Sequence, residues 1–431
     1  MVVVEKSSAR AEKDAAGGDS GSGGADLPPP YSPIEDGYAP QPAPEYGDLD
    51  PPKVVHPRTG MIVVTNELAP TRPLYLHADK VASSSLIVES AHGPSANGML
   101  SVRVEVSGGG SDISDKCDVS MAVNGRGEYE IYAVGKRIGW TGPRLECQFV
   151  VQIPAGAPLA HPGIRAVLSK AHVGLGGLDN VAFGHIDIQT SHASVSLSRV
   201  SSDSVLVTTS HGAIDAASID CQGTLSLTTN SGHISVADSK CGELHAATTN
   251  KQITLQSCTS DAVSAVTTNS KIQCGSVAAE TVRLQTTNSS IEAGGIDAGS
   301  LWMATTNSSI KGAWNVRDLL DLSTTNSRIT GDIGLLEPER AASITLTTTN
   351  AGIDVRLKRN AFSGRFDLKT TNAAAQILGD NGEDPDSMSP LRYVVNTQTY
   401  KRGTCGAGDK LRHDLAAKTT NSRLNVSLVD Y

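Results

Sequence analysis

Between residues 176 and 431 the chain alternates apolar and polar positions by two, and the alternation restarts at a nearly fixed interval. With coil origins at His192, His211, Ser231, Asn250, Asn269, Asn288, Asn307, Asn326, Asn350, Asn372 and Asn421, the residue six places earlier is apolar every time, from Ile186 to Leu415. The residue four places earlier is apolar as well, from Ile188 to Ala417. Two places before each origin stands Thr, from Thr190 to Thr419. Alternation along a strand puts all three columns on one face, so the threonines point inward with the aliphatics. Three places beyond the origin the side chain is Ile, Val or Leu in every coil but one, where Ala375 stands, and the next position is polar.

The words Thr-Thr-Asn end at Asn250, Asn269, Asn288, Asn307 and Asn326, each 19 residues after the last. A period of this size makes each repeat one supersecondary unit stacked on its neighbour. The expected fold is all-β: a parallel β-solenoid (β-helix) of about eleven 19–20-residue coils over 176–431. Each coil reads as a strand, a tight Asn-centred corner, a second strand and a return of about seven residues. Stacked Asn side chains bond along the corner, and Asn tolerates the left-handed backbone that a sharp corner would need. At Asn230 the word falls one residue early; placing the origin at Ser231 keeps the aliphatic columns in register, which a one-residue slip would invert. Later intervals lengthen to 24, 22 and 49 residues, so insertions are expected at 331–343 and 373–414. The acidic run Asp380–Asp386 lacks the alternation of a calcium loop and reads as a solvated excursion.

Ahead of the coils, 54–175 is patterned for strands at 61–65, 86–90, 99–106, 128–134 and 147–153, with turns such as Asn124-Gly125 between them. A stack of strands exposes a templating edge, and this segment is the candidate cap. Trp140, Tyr129 and Tyr132 would either fill its core or line a binding surface. Residues 1–53 are Gly-, Ser- and Pro-rich and too poor in aliphatics to offset their ordering entropy, so a disordered tail is expected. Within it, Pro28-Pro29-Pro30-Tyr31 matches the Pro-Pro-x-Tyr ligands of WW domains: the prolines favour polyproline II and Tyr31 fills a pocket. Pro28, Pro29 and Tyr31 are therefore the candidate partner-binding residues, the alternative being a solubilising linker.

Composition narrows the function. The 431 residues carry a formal charge of −9, which argues against a nucleic-acid groove or a polybasic membrane anchor. No apolar run reaches ~18 residues, the length a membrane span needs. The opening Met1-Val2-Val3-Val4-Glu5-Lys6 forms no secretory core, and a cytoplasmic location is expected. The odd set of seven cysteines, without metal-ligand spacing, suits buried reduced thiols. The outward columns bring no acidic pair onto adjacent coils, as glycoside hydrolysis would require; Glu292 and Lys311 read as a surface ion pair. His211, His233 and His245 lie among serines and threonines too numerous to mark a triad, and neither a nucleophile elbow nor a phosphate loop occurs. No catalytic, cofactor-binding or metal residue is assigned. Ice binding is disfavoured because the Thr rank faces inward.

The segment Cys147–Ile153 followed by Pro154-Ala155-Gly156, and then coils of the form Thr-Thr-Asn-Ser-x-Ile, resembles the β-solenoid "putative adhesin" domains of unknown function over about residues 54–431. With the Pro-rich tail ahead of it, the chain is similar to uncharacterised fungal proteins. The resemblance implies a β-solenoid and a non-catalytic role, and the adhesin label implies export. The expected function is thus a rigid structural or interaction scaffold whose tail recruits WW-domain partners. Adhesion after export by a non-standard route is the alternative, and a carbohydrate-active β-helix enzyme a more distant one.

Overall fold

The computed structural model describes residues 53–58, 60–91, 98–109, 113–136, 144–154, 159–179, 181–358, 361–378, 391–406 and 411–429. These residues form 29 strands joined in one continuous sheet, with no α-helix among them. The architecture is a parallel β-solenoid, and its strand pairings follow the aliphatic columns. On the first face Ile186, Val205, Leu225, Leu244, Val263, Val282, Leu301, Leu320 and Ile344 lie side by side in successive ranks. On the second face Val195, Ile214, Ile234, Ile253, Ile272, Ile291, Ile310, Ile329 and Ile353 do the same. Both columns are essentially sealed from solvent. The Ser231 origin holds: Thr209 pairs with Thr229 and Ile214 with Ile234.

The return is a strand too. Val200, Ile219, Ser239, Cys258, Val277, Ile296, Trp314 and Ile333 pair rank by rank and build a third face. Leu159–His161 and the Val181–Phe183 segment precede them, and the pairing continues past Ile333 to Leu357 and Leu428. Its inward positions are less apolar than those of the other faces, and two of the serines there bond to backbone. Ser202 Oγ donates to Ser204 O at 2.8 Å, and Ser260 Oγ donates to Gly242 O and Ala262 O. Trp314 is fully buried on this face, against Gly312 and Gly331 of the second face. A Cβ at Gly331, whose φ is +157°, would come within 2.8 Å of the indole. Length differences are absorbed at the borders of the third face, where the pairing shifts between Cys221 and Thr224 and again on either side of Ile296–Ala298.

The two ends share a device that chain order conceals. At the C-terminal end Ser343–Thr347 pairs with His413–Lys418, and that strand in turn pairs with Gly364–Lys369. On the second face Leu424–Val429 likewise lies between Ile353–Lys358 and Ala375–Leu378. The last coil of the sequence is therefore inserted one rank in. The 364–378 coil lies outside it, closed by the antiparallel strands Tyr400–Cys405 and Arg392–Asn396.

The N-terminal end mirrors this. Leu74–Asp79 and Ser83–Ser90 stack in parallel on 164–175 and are themselves covered by Tyr129–Gly135 and Leu145–Ile153. Antiparallel strands Leu100–Gly108, Met61–Leu68 and Lys53–Arg58 close the second face, and Cys117–Val123 closes the first. The coil ladder thus runs into the segment 54–175, whose outermost strands do the capping. The 331–343 segment begins inside the strand Ile329–Leu335, and 373–414 supplies Ala375–Leu378 and the closing hairpin. Asp380–Asp386 lies outside the described residues, as does nearly all of the 1–53 tail.

Candidate interaction surfaces

The Thr-Thr-Asn corner resolves into three separate jobs. The first Thr is buried in every coil, at no more than 9% exposure. Its hydroxyl donates to a backbone carbonyl at the preceding corner: Thr286 to Ser270 O at 3.0 Å, Thr305 to Ser289 O at 2.9 Å and Thr324 to Ser308 O at 3.0 Å. The second Thr carries the backbone ladder round the bend, with Asn288 N donating to Thr268 O at 2.9 Å. The Asn amides form an exposed chain in which each Nδ2 donates to the Oδ1 of the preceding rank at 2.7–2.8 Å, from Asn269 to Asn250, on through Asn350 to Asn326, and then from Asn421 to Asn350 and from Asn372 to Asn421. Asn421 takes its place between Asn350 and Asn372, which repeats the inserted coil in side chains. Towards the N-terminus the ladder continues as the rings of His192 and His211, stacked 4.6 Å apart.

The left-handed backbone expected of these asparagines is not present. Among the described residues other than glycine, positive φ occurs at Lys80, Lys170 and Arg199. The Asn corner turns over several residues, each at ordinary φ, so the amide ladder and not backbone tolerance accounts for Asn there.

A shallow recess of about 460 Å³ opens on the second face, lined by Lys311, Gly312, Thr330, Gly331, Asp332, Asp354 and Arg356. The glycines that make room for Trp314 line it, and a two-point Arg356–Asp332 ion pair at 2.5 and 2.8 Å spans its rim. The expected Glu292–Lys311 pair does not form: Glu292 turns instead to Lys271, whose Nζ lies 2.6 Å away. Both side chains are partly exposed, so solvent screens the pair and it adds little stability.

The first face carries aromatic side chains outward. In its middle, Arg283 lies over the indole of Trp302, 4.4 Å from the ring centroid. Beside the indole in the next rank is Asp321, whose carboxyl burial pushes above the ordinary range. At the N-terminal end Tyr75, His77 and Tyr132 form one cluster: Tyr75 meets Tyr132 edge-on at 5.9 Å, and His77 lies 5.4 Å from Tyr132. Tyr132 donates to Glu130 at 3.1 Å, and Asn124 Nδ2 donates to the same carboxylate at 2.7 Å. Burial, then Glu130, raises the Tyr132 hydroxyl pKa, while burial lowers that of His77 and keeps its imidazole neutral.

Of the residues singled out in the sequence, Tyr129 is core and Tyr132 belongs to this surface cluster. Tyr75 and His77 had only alternation to announce them, which gives a face but no partner. Trp140, Pro28, Pro29 and Tyr31 lie outside the described residues. His233 reaches Asp215 at 3.1 Å, and burial lowers the pKa of His245. All seven cysteines are buried. Burial pushes the thiols of Cys117, Cys147 and Cys274 up to about 11, 12 and 12.

No family model matches the chain, and no curated protein matches it. Among solved structures it is similar to a putative adhesin from Parabacteroides merdae ATCC 43184, at 12% identity over 64% of this chain and 95% of that one, with a TM-score of 0.33. It is also similar to a putative cell adhesion protein from Clostridium sporogenes ATCC 15579, at 6% identity over 85% and 99%, TM-score 0.16. A putative adhesin from Bacteroides fragilis NCTC 9343 shares 9% identity over 86% and 99%, TM-score 0.18. With scores of this size, the fold rests on the strand pairings above and any function on the surface itself.

Proposed function

We propose that this chain is a non-catalytic recognition scaffold, in which a stiff solenoid presents an extended face and the N-terminal tail recruits partners. The observation that carries this reading is the corner: side chains bonded to one another at 2.7–2.8 Å through successive ranks hold the outer columns in fixed register. Binding to a partner that meets several ranks then costs little conformational entropy in the scaffold, the general advantage of a preorganised surface. No helix of the described residues is long and apolar enough to cross a membrane. In the tail, Pro28-Pro29-Pro30-Tyr31 supplies the chemistry of a WW-domain ligand, with Tyr31 as the anchor.

Tagged full-length chain and a chain lacking residues 1–53 separate the two halves of the proposal. Full-length chain is expected to be retained by an array of WW domains, and Tyr31→Ala or loss of the tail to abolish retention. Equal retention of the Tyr31→Ala chain removes the tail from the mechanism. The same tagged chains, followed in cells, distinguish an internal scaffold from an exported adhesin, because surface labelling of intact cells reaches only the latter.

A further inference from the structure

We propose that the cluster of Tyr75, His77 and Tyr132, with Glu130 and Arg165 at its edge, is a binding platform for a neutral glycan. The proposal rests on reading the chain as a non-catalytic scaffold and names the ligand class of one face. The three rings stand outward from strands Leu74–Asp79 and Tyr129–Gly135, which pair in register as Tyr75–Glu130 and His77–Tyr132. The strands beneath belong to the solenoid's sealed core, so the rings are mounted on a rigid floor. Rings so mounted offer apolar surface at little entropic cost, and the C–H face of a sugar ring is the flat, weakly apolar partner that such a surface fits.

The polar groups around the rings are held in place. Glu130 is fixed by bonds from Tyr132 and Asn124. Arg165 lies over Tyr75 at 5.4 Å from its centroid and pairs with Asp187 at 3.2 Å, and Gln189 bonds to the same Asp187. A carboxylate and a guanidinium beside aromatic rings, with a carboxamide two ranks along from His77, match the mixed donors and acceptors of sugar hydroxyls, and a few such groups suffice to fix orientation.

Two other ligand classes fit less well. A quaternary ammonium needs a gap between rings, but these rings touch one another at 5.4–6.3 Å. Among the described residues around the rings an acidic glycan would meet Glu128, Glu130 and Asp187, and Arg165 is already paired with Asp187, an unfavourable balance at short range.

The test uses the full chain in native gels cast with laminarin, glucomannan, hydroxyethyl cellulose or, as the acidic comparison, alginate. Titration calorimetry with a hexasaccharide of the retarding polymer and an assay for released reducing ends follow. Retardation by at least one neutral polymer is expected, with affinity falling at least tenfold in Tyr75→Ala and in Tyr132→Ala. Tyr132→Phe, which keeps the ring, is expected to lose less, and Trp302→Ala at the middle of the face to bind as wild type. Circular dichroism identifies variants that fail to fold; should the alanine variants do so, Arg165→Gln and Tyr132→Phe carry the comparison. The platform is overturned if no neutral polymer retards the chain, if alginate retards it more strongly, or if the folded cluster variants bind unchanged. Failure on these counts leaves the scaffold reading standing, whereas release of reducing ends by the chain would overturn that reading itself.

Discussion

The inward threonine is the residue on which the corner depends, and its two ends do different work. The methyl packs with the aliphatic columns, while the hydroxyl satisfies a carbonyl that would otherwise face the core. Thr286→Val keeps the shape and orphans Ser270 O, which by the usual cost of an unmet buried acceptor amounts to about 1–2 kcal/mol. Leu284→Asp buries a charge in a fully enclosed position and should cost more than about 4 kcal/mol. Urea titrations of the two variants check the order, and equal losses would refute the inward assignment. A second residue-scale prediction concerns two buried histidines. Burial, then His185, lowers the His161 pKa to about 4, and its Nδ1 accepts from Gly163 N at 3.1 Å. Burial also lowers the pKa of His413, whose Nδ1 accepts from Ser363 N and whose Nε2 lies 3.0 Å from Arg340 O. An unfolded histidine takes up its proton below about pH 6.5, whereas the folded ones resist. The stability from these neutral rings is therefore complete above pH 6.5 and declines below it, for His161 as the pH falls towards 4. His161→Leu should flatten the acid limb of stability against pH by up to about 1.4 kcal/mol per pH unit, one proton's worth. Unchanged slopes in urea titrations at pH 7, 6 and 5 would remove His161 from the account.

At the scale of the element, the inserted coil matters most. The strands His413–Lys418 and Leu424–Val429 do not end the stack; they are the rung between 343–358 and 364–378. His413 fastens that rung on both sides, through Arg340 O and Ser363 N. A chain ending at residue 410 should lose more than its last coil. The 364–378 coil and its hairpin forfeit their parallel partners, so amide exchange across 364–405 should rise to near-unprotected rates while 181–335 keeps its protection. Protection of 364–405 in that shortened chain would show that the outer coil docks without its rung. The columns from Ile186 to Leu415 could be read from the sequence because period-two alternation is a direct imprint of which side faces the core. Stacking order could not, because every coil presents the same Ile, Leu and Thr to its neighbours and the pattern carries no label of rank. The third face was legible only in part, through apolar positions such as Val200, Ile219, Val277 and Ile296: Ser202, Ser239, Cys241 and Ser260 occupy other inward positions and break the aliphatic signal, though backbone acceptors satisfy Ser202 and Ser260. The surface cluster was legible only in part, since Tyr75 and Tyr132 are 57 residues apart in sequence and become neighbours solely through the inserted N-terminal coil.

Taken as a whole, the molecule behaves as a one-dimensional stack in which stability is a sum over ranks and their interfaces. Such a stack should accept the removal of a rank if both cut ends fall at equivalent positions. Deleting residues 270–288 joins Asn269 to Ser289 and removes one 19-residue period, restoring Ile291 to the place that Ile272 held. Val263, Leu301 and the Asn ladder then close up with every inward side chain still inward. The shortened chain should fold, with a urea m-value lower in rough proportion to its lost surface. Deleting residues 270–287 differs by one residue and joins Asn269 to Asn288, which offsets the second face by one position at a corner where the ranks from Asn250 to Asn326 show no irregularity. The borders of the third face absorb such offsets, as the shifted pairings near Cys221 and Ile296 show, but the Thr-Asn corner is held by both a buried hydroxyl and the amide ladder. The 18-residue deletion should accordingly lose its cooperative transition or melt at least 10 °C below the 19-residue one, since an offset by one turns core side chains to solvent. Matching thermal and urea transitions for the two deletions would mean that the corner yields as readily as the third face, and the ladder would no longer explain the fixed period.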